Sequence, residues 1–347
     1  VYSQTHFLQI GARYEAAANA ELEVANCTLQ QGGSGIHLLV GGTTPPTTAA
    51  TAPTLRVVEN GIVKCDTLRI GNKGHSNDGR LPVFPTLAVT NGTVEASFSV
   101  KVGDTGDSLV QPHVYLGANA QLVAKGTSAS AGIEMGNNSY LEVADGGLLK
   151  GNGVSTRGLY LTYKTCGEAH VLRGGRIAVP YISSDPNYAD TSKQFNFFFN
   201  GGELEFTADN GCSIVSLPLN RVLTLEEDGL AMIVDAGKRH TFTLPVRGTG
   251  AFAKRGAGEC VFVPGREYRG NVTNELGFVT AGWSGLSTVE EGALTLVAGA
   301  ATNTLAVKVL DGAVLQIDGA QTIGAVSGGG TVRGAGTTPV ALGCQVS

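Results

Sequence analysis

An aliphatic pair closed by glycine recurs four times between Leu38 and Gly136. It reads Leu38-Leu39-Val40-Gly41, Leu68-Arg69-Ile70-Gly71, Val100-Lys101-Val102-Gly103 and Ile133-Glu134-Met135-Gly136, and its closing glycines fall at nearly even intervals. A second series, Leu22-Glu23-Val24, Leu55-Arg56-Val57 and Leu87-Ala88-Val89, runs half a period ahead of the first, and Leu122-Val123 continues it imperfectly. Apolar residues at i and i+2 describe strands with one buried side, and a fixed period of this length describes a supersecondary unit that stacks on copies of itself. Asn60-Gly61, Asn91-Gly92 and Asp145-Gly146 supply turns between the strands. No stretch of useful length has helical periodicity. The chain is therefore expected to be all-β: a β-solenoid in which each coil rises by about 4.8 Å and the inward Leu, Val and Ile form ladders.

Composition agrees. Glycine supplies 50 of 347 residues, aromatics 6% and charged residues 15%, which suits a narrow aliphatic core with glycine at the corners. An apolar content of 42% is too high for a disordered chain. Glycine has no every-third-residue pattern, and no apolar run is long enough for a membrane-spanning helix, so collagen and helical membrane insertion are excluded. A net charge of −5 without a basic cluster argues against nucleic acid. The chain opens at Val1 without a charged-then-apolar leader and reads as mature or trimmed. The pattern changes near residue 176 without a Pro- or Ser-rich linker, which predicts a single elongated stack with loop insertions. Coils of about 32 residues occupy 1–175 and a second set 176–347. Cys27, Cys65, Cys166, Cys212, Cys260 and Cys344 contain no C-x-x-C; disulfides and single buried thiols both stay open.

Beyond residue 196 the chain resembles a known family. Asn200-Gly201-Gly202-Glu203-Leu204-Glu205-Phe206 is followed by Ala231-Met232-Ile233-Val234-Asp235, Thr241-Phe242-Thr243-Leu244 and Gly248-Thr249-Gly250-Ala251-Phe252-Ala253-Lys254-Arg255-Gly256-Ala257-Gly258. Next come Tyr268-Arg269-Gly270, Val289-Glu290-Glu291-Gly292-Ala293-Leu294-Thr295-Leu296, Leu315-Gln316-Ile317 and Gln321-Thr322-Ile323-Gly324-Ala325-Val326-Ser327-Gly328-Gly329-Gly330-Thr331-Val332. In this order the segments resemble the autotransporter-associated β-strand repeat of bacterial passenger proteins, over about 196–335. The resemblance implies a right-handed β-helix, secreted or on the cell surface, with an adhesive or structural role and no catalytic residues in the repeat. Residues 271–288, with the only tryptophan, Trp283, read as an insert.

Candidate sites are few. The loop 72–80 is the richest polar segment and brings Lys73, His75, Asp78 and Arg80 within reach of one another. Tyr188 and Trp283 are aromatics suited to a partner or a sugar. Phe195, Phe197, Phe198 and Phe199 read as core, with a sugar platform as the rival reading. Gly106-Asp107-Ser108-Leu109 spells an esterase nucleophile block but has no Asp-x-x-His partner and reads as a turn. Asp104 with Asp107, Glu226-Glu227-Asp228 and Glu290-Glu291 are local carboxylate sets, and adjacent strand residues face opposite ways, which suits them poorly to shared chemistry. Gly32-Gly33-Ser34-Gly35-Ile36-His37 lacks the aspartate of a calcium nonapeptide. His6, His37, His75, His113, His170 and His240 have no metal-ligand spacing and read as surface or satisfied residues. The resulting expectation is a non-enzymatic structural or adhesive solenoid without cofactor or metal. Its partners would be further copies of itself, end to end in a fibre or layer, or a host or matrix surface, with glycans among them. The alternative is a polysaccharide lyase, a glycoside hydrolase or a sugar-binding module.

Overall fold

A computed structural model describes residues 2–4, 7–11, 19–31, 35, 37–41, 50–71, 81–103, 109–128, 131–152, 158–161, 167–184, 195–208, 221–242, 246–263, 266–269, 272–275, 284–300, 305–320 and 323–334. Among these there is no helix, and the strands stack in long parallel sheets, which makes the fold a parallel β-helix. Two compact units divide the chain: 1–170 with 174–185 and 193–195, and 171–173 with 186–192 and 196–347.

The coils of the first unit have three faces. On the first, Glu21–Ala25, Thr54–Val58, Thr86–Val89, His113–Leu116 and Ser139–Val143 pair in parallel. Their inward residues form two columns, Leu22, Leu55, Leu87, Val114, Leu141 and Val24, Val57, Val89, Leu116, Val143. The second face carries the column Leu29, Val63, Val94, Leu122, Leu149, Ile177. Leu122 therefore belongs to the second face, and Val114 is what continues the Leu22 series; the two segments look alike because every inward position selects the same side chains. On the third face Ile10, Val40, Ile70, Val102, Met135 and Leu161 stand in one column, the ladder that the repeated aliphatic pair predicts. In two coils the second and third faces merge into the long strands Ile62–Ile70 and Thr93–Val102, whose pairing slips between Cys65 and Thr67 to turn the corner.

The corner after the first face shows why the turn residues recur. Asn60 and Asn91 adopt positive φ, +63° and +48°, which asparagine tolerates better than other side chains. Gly61 follows because a Cβ there would strike the Val24 carbonyl of the preceding coil. The asparagines also tie coils together: Asn119 Nδ2 donates to Asn91 Oδ1 at 3.1 Å.

The second unit stacks Gly202–Phe206, Leu230–Val234, Phe252–Arg255, Ser287–Val289, Ala306–Val309 and Ala325–Ser327 on one face. A second face stacks Arg239–Phe242, Glu259–Phe262, Ala293–Val297, Val314–Asp318 and Thr331–Gly334. Its core adds phenylalanines to the aliphatic columns: Phe206, Phe242, Phe252 and Phe262 are fully buried, with Phe262 5.4 Å from both Phe242 and Phe252. The parallel pattern breaks at an antiparallel hairpin, Arg266–Arg269 with Val272–Glu275. Tyr268 and Arg269 thus stand in a hairpin and not in a repeat coil, and parallel pairing resumes at Ser287.

Candidate ligand-binding face

Lys73, His75, Asp78, Arg80, Tyr188 and Trp283 all lie outside the described residues, as do Asp104, Asp107 and the rest of 104–108. Phe195, Phe197 and Phe199 alternate into the interior with exposures of 1% or less, so they furnish core. From the acidic sets, Asp228 and Glu290 hold cations at the surface. Asp228 accepts from Arg173 at 2.7 Å, and Glu290 and Glu203 both accept from Arg255, at 2.9 and 3.2 Å. Among the described residues no three His, Cys, Asp or Glu side chains could hold a metal ion.

What the fold assembles instead is a strip on the outside of the first face, within the first unit. Three consecutive strand segments read His113-Val114-Tyr115, Tyr140-Leu141-Glu142 and Glu168-Ala169-His170. In each the middle residue is buried and the flanking pair is turned outward. In register, His113 stands beside Tyr140 and Tyr115 beside Glu142, so the coil stack turns residues far apart in the chain into neighbours. The rings follow one another along the stack: His113 to Tyr140 at 5.4 Å, Tyr115 to Tyr140 at 5.7 Å and Tyr140 to His170 at 5.3 Å, the last pair stacked at 30°. Phe84 closes one end, edge-on to His113 at 6.4 Å.

Polar tips link the rings. His113 Nδ1 and the Tyr115 hydroxyl share a hydrogen bond of 2.9 Å, Tyr140 donates to Glu142 Oε2 at 3.0 Å, and His170 Nε2 lies 3.0 Å from Glu168 Oε2. Partial burial holds the His113 imidazolium below the usual histidine range, leaving the ring neutral at neutral pH. Burial, then the bond to Glu142, pushes the Tyr140 phenol up, and burial with the Glu142 charge does the same at Tyr115. Neither tyrosine is poised to ionise, and the strip offers hydrogen bonds and ring surface. The segments contain no Lys or Arg; Glu142 and Glu168 are their fixed charges.

The six histidines are thus less scattered than their spacing suggests, since His113 and His170 both pack on Tyr140. His240 departs further from expectation. It is fully buried, its ring lies 3.4 Å from that of Phe206 and nearly parallel to it, and neither ring nitrogen has a hydrogen-bond partner. A ring held this way is neither a surface histidine nor a satisfied one.

Fold and strip together define a class: a parallel β-helix that presents a polar-aromatic outer face. No family model matches the chain, and no solved structure matches it. A stretch of 148 residues, 42% of the chain, is 30% identical to the Adhesin BmaC autotransporter of Brucella suis biovar 1 (strain 1330), and spans 4% of that protein. The chain therefore covers a small part of the length of this curated relative.

Proposed function

We propose that this chain is an adhesive passenger segment, secreted or displayed on a bacterial surface, in which the β-helix is a rigid carrier and the strip from His113 to His170 is the contact face. The observation that carries this reading is the strip itself. Half-buried rings with hydrogen-bonding tips occupy outward positions where folding makes little demand, and the scaffold locks them in place. The similarity to an autotransporter adhesin supports the surface location and the absence of an enzymatic role. The test is attachment. Beads coated with the purified chain are expected to bind cultured host cells or extracellular matrix several-fold above albumin-coated beads. Attachment equal to albumin would contradict the proposal.

A further inference from the structure

We propose that the strip binds an uncharged glycan, with one sugar ring seated beside Tyr115 on the shelf formed by Ala88 and Thr86. This rests on the reading of the same face as the contact surface, and adds the chemical class of what it holds.

Three observations carry it. The first is a step in the ladder. Tyr115 and His113 stand in register with Ala88 and Thr86 on the preceding coil, so the polar-aromatic pairs begin abruptly over two small side chains. The Tyr115 ring has an in-register ring neighbour on neither coil, Ala88 below and Glu142 above. A sugar has an apolar C–H face that packs on an aromatic ring and a rim of hydroxyls that needs donors and acceptors, and such a shelf beside tyrosine and carboxylate matches both. The coil rise of about 4.8 Å is comparable with the length of one pyranose, so a linear chain running along the stack would place successive sugars against successive coils.

The second observation is charge. Glu142 and Glu168 face outward without Lys or Arg in their segments, and Arg56, in register with Ala88 on the far side of the shelf, is paired with Glu21 and Glu23 at 3.3 and 3.4 Å; the net acidic face repels sulfated or uronic-acid chains and favours hydroxyl-rich neutral ones. The third bears on the choice between a glycan and a protein partner. Protein interfaces use tyrosine anchors as glycan sites do, but they set them in a dehydrated apolar core. The large hydrophobic side chain that stands exposed among the described residues is Leu286, in the second unit, and the strip shows rings and polar tips with no aliphatic patch.

Isothermal titration of the full chain with cellotetraose, tetra-N-acetylchitotetraose and a heparin tetrasaccharide tests this. Saturable binding of one of the neutral tetrasaccharides is expected, with no saturable binding of heparin. The affinity should fall at least tenfold in Tyr115→Ala, and also in Ala88→Tyr, which fills the shelf while leaving every existing side chain of the strip in place. No saturable binding of either neutral tetrasaccharide, equal binding of heparin, or full affinity in Ala88→Tyr would overturn the inference. Bead attachment tells the two proposals apart: attachment that survives enzymatic deglycosylation of the matrix removes the glycan and points to a protein partner, while the adhesive reading stands. Neutral-glycan binding without bead attachment does the opposite.

Discussion

At the residue scale, two basic side chains stand buried in the largely apolar interior of the second unit. Lys254 stands in the inward column between Met232 and Val289 with no exposure. Its stem replaces an aliphatic, and its ammonium donates to the carbonyls of Arg255 at 2.8 Å, Gly256 at 2.6 Å and Glu291 at 3.1 Å. Burial holds the amine below the usual lysine range, and the three carbonyls keep the charge tolerable by pairing it. Lys254→Met keeps the stem but orphans the carbonyls, and should lower unfolding stability by about 3 kcal/mol in a urea titration; an unchanged midpoint would show the carbonyls find other donors. His240 has no such compensation, and burial pushes its pKa down to about 3. Because the folded value lies below the unfolded one of about 6.5, the unfolded chain binds the extra proton between those values. Stability is then full above about pH 6.5 and declines on acidification toward pH 3, by up to about 1.4 kcal/mol per pH unit. Denaturant midpoints between pH 7 and pH 4 should show this slope, and His240→Phe should flatten it. Cysteine chemistry divides likewise. Cys27 is exposed while Cys65 and Cys260 are buried, their thiols pushed up to about 12. Iodoacetamide on the native protein should modify Cys27 well before the other two, as read by peptide mass.

The element that organises the first unit is the coil, and its energetics reside in the ladders. Leu68 and Val100 stand in one inward column with no exposure, and Leu68→Ala should cost about 2–5 kcal/mol by leaving a void between two rigid neighbours. A smaller loss, measured by thermal melting, would mean that the coils collapse to fill it. The column through Val40, Ile70, Val102 and Met135 is legible in the sequence because burial demands an aliphatic at every second residue and glycine closes each repeat. Asn60-Gly61 and Asn91-Gly92 are legible for a similar reason, since positive φ and a close carbonyl admit few residues. The strip is not. Its residues are the outward half of the same alternation, where folding sets no rule, and the step from His113 to its partner Tyr140 is shorter than the period that makes the earlier coils visible. The loop of Lys73, His75, Asp78 and Arg80 concentrates polar groups within a short run of sequence, whereas the strip is gathered only by stacking. Its recoverable signal is a polar aromatic or acidic residue on both outward positions of three successive strands.

On the scale of the whole molecule, a stacked coil separates the work of folding from that of contact. Inward residues carry the stability, and outward residues are free to vary. The first unit uses aliphatic ladders and bears the strip; the second closes around phenylalanines and laces its surface with ion pairs such as Arg255 with Glu203 and Glu290. Such exposed pairs contribute little each, so the second unit depends on its buried rings and aliphatics. The division also says where function should be lost without loss of fold. Bead attachment by the chain carrying Tyr115→Ala and Tyr140→Ala, set beside a chain carrying Lys73→Ala and Asp78→Ala, measures this directly. A drop of tenfold or more for the first pair with an unchanged β-rich circular-dichroism spectrum, and near wild-type attachment for the second, is the predicted result. Loss confined to the Lys73 and Asp78 variant, with the tyrosine variant still attaching, would contradict the account.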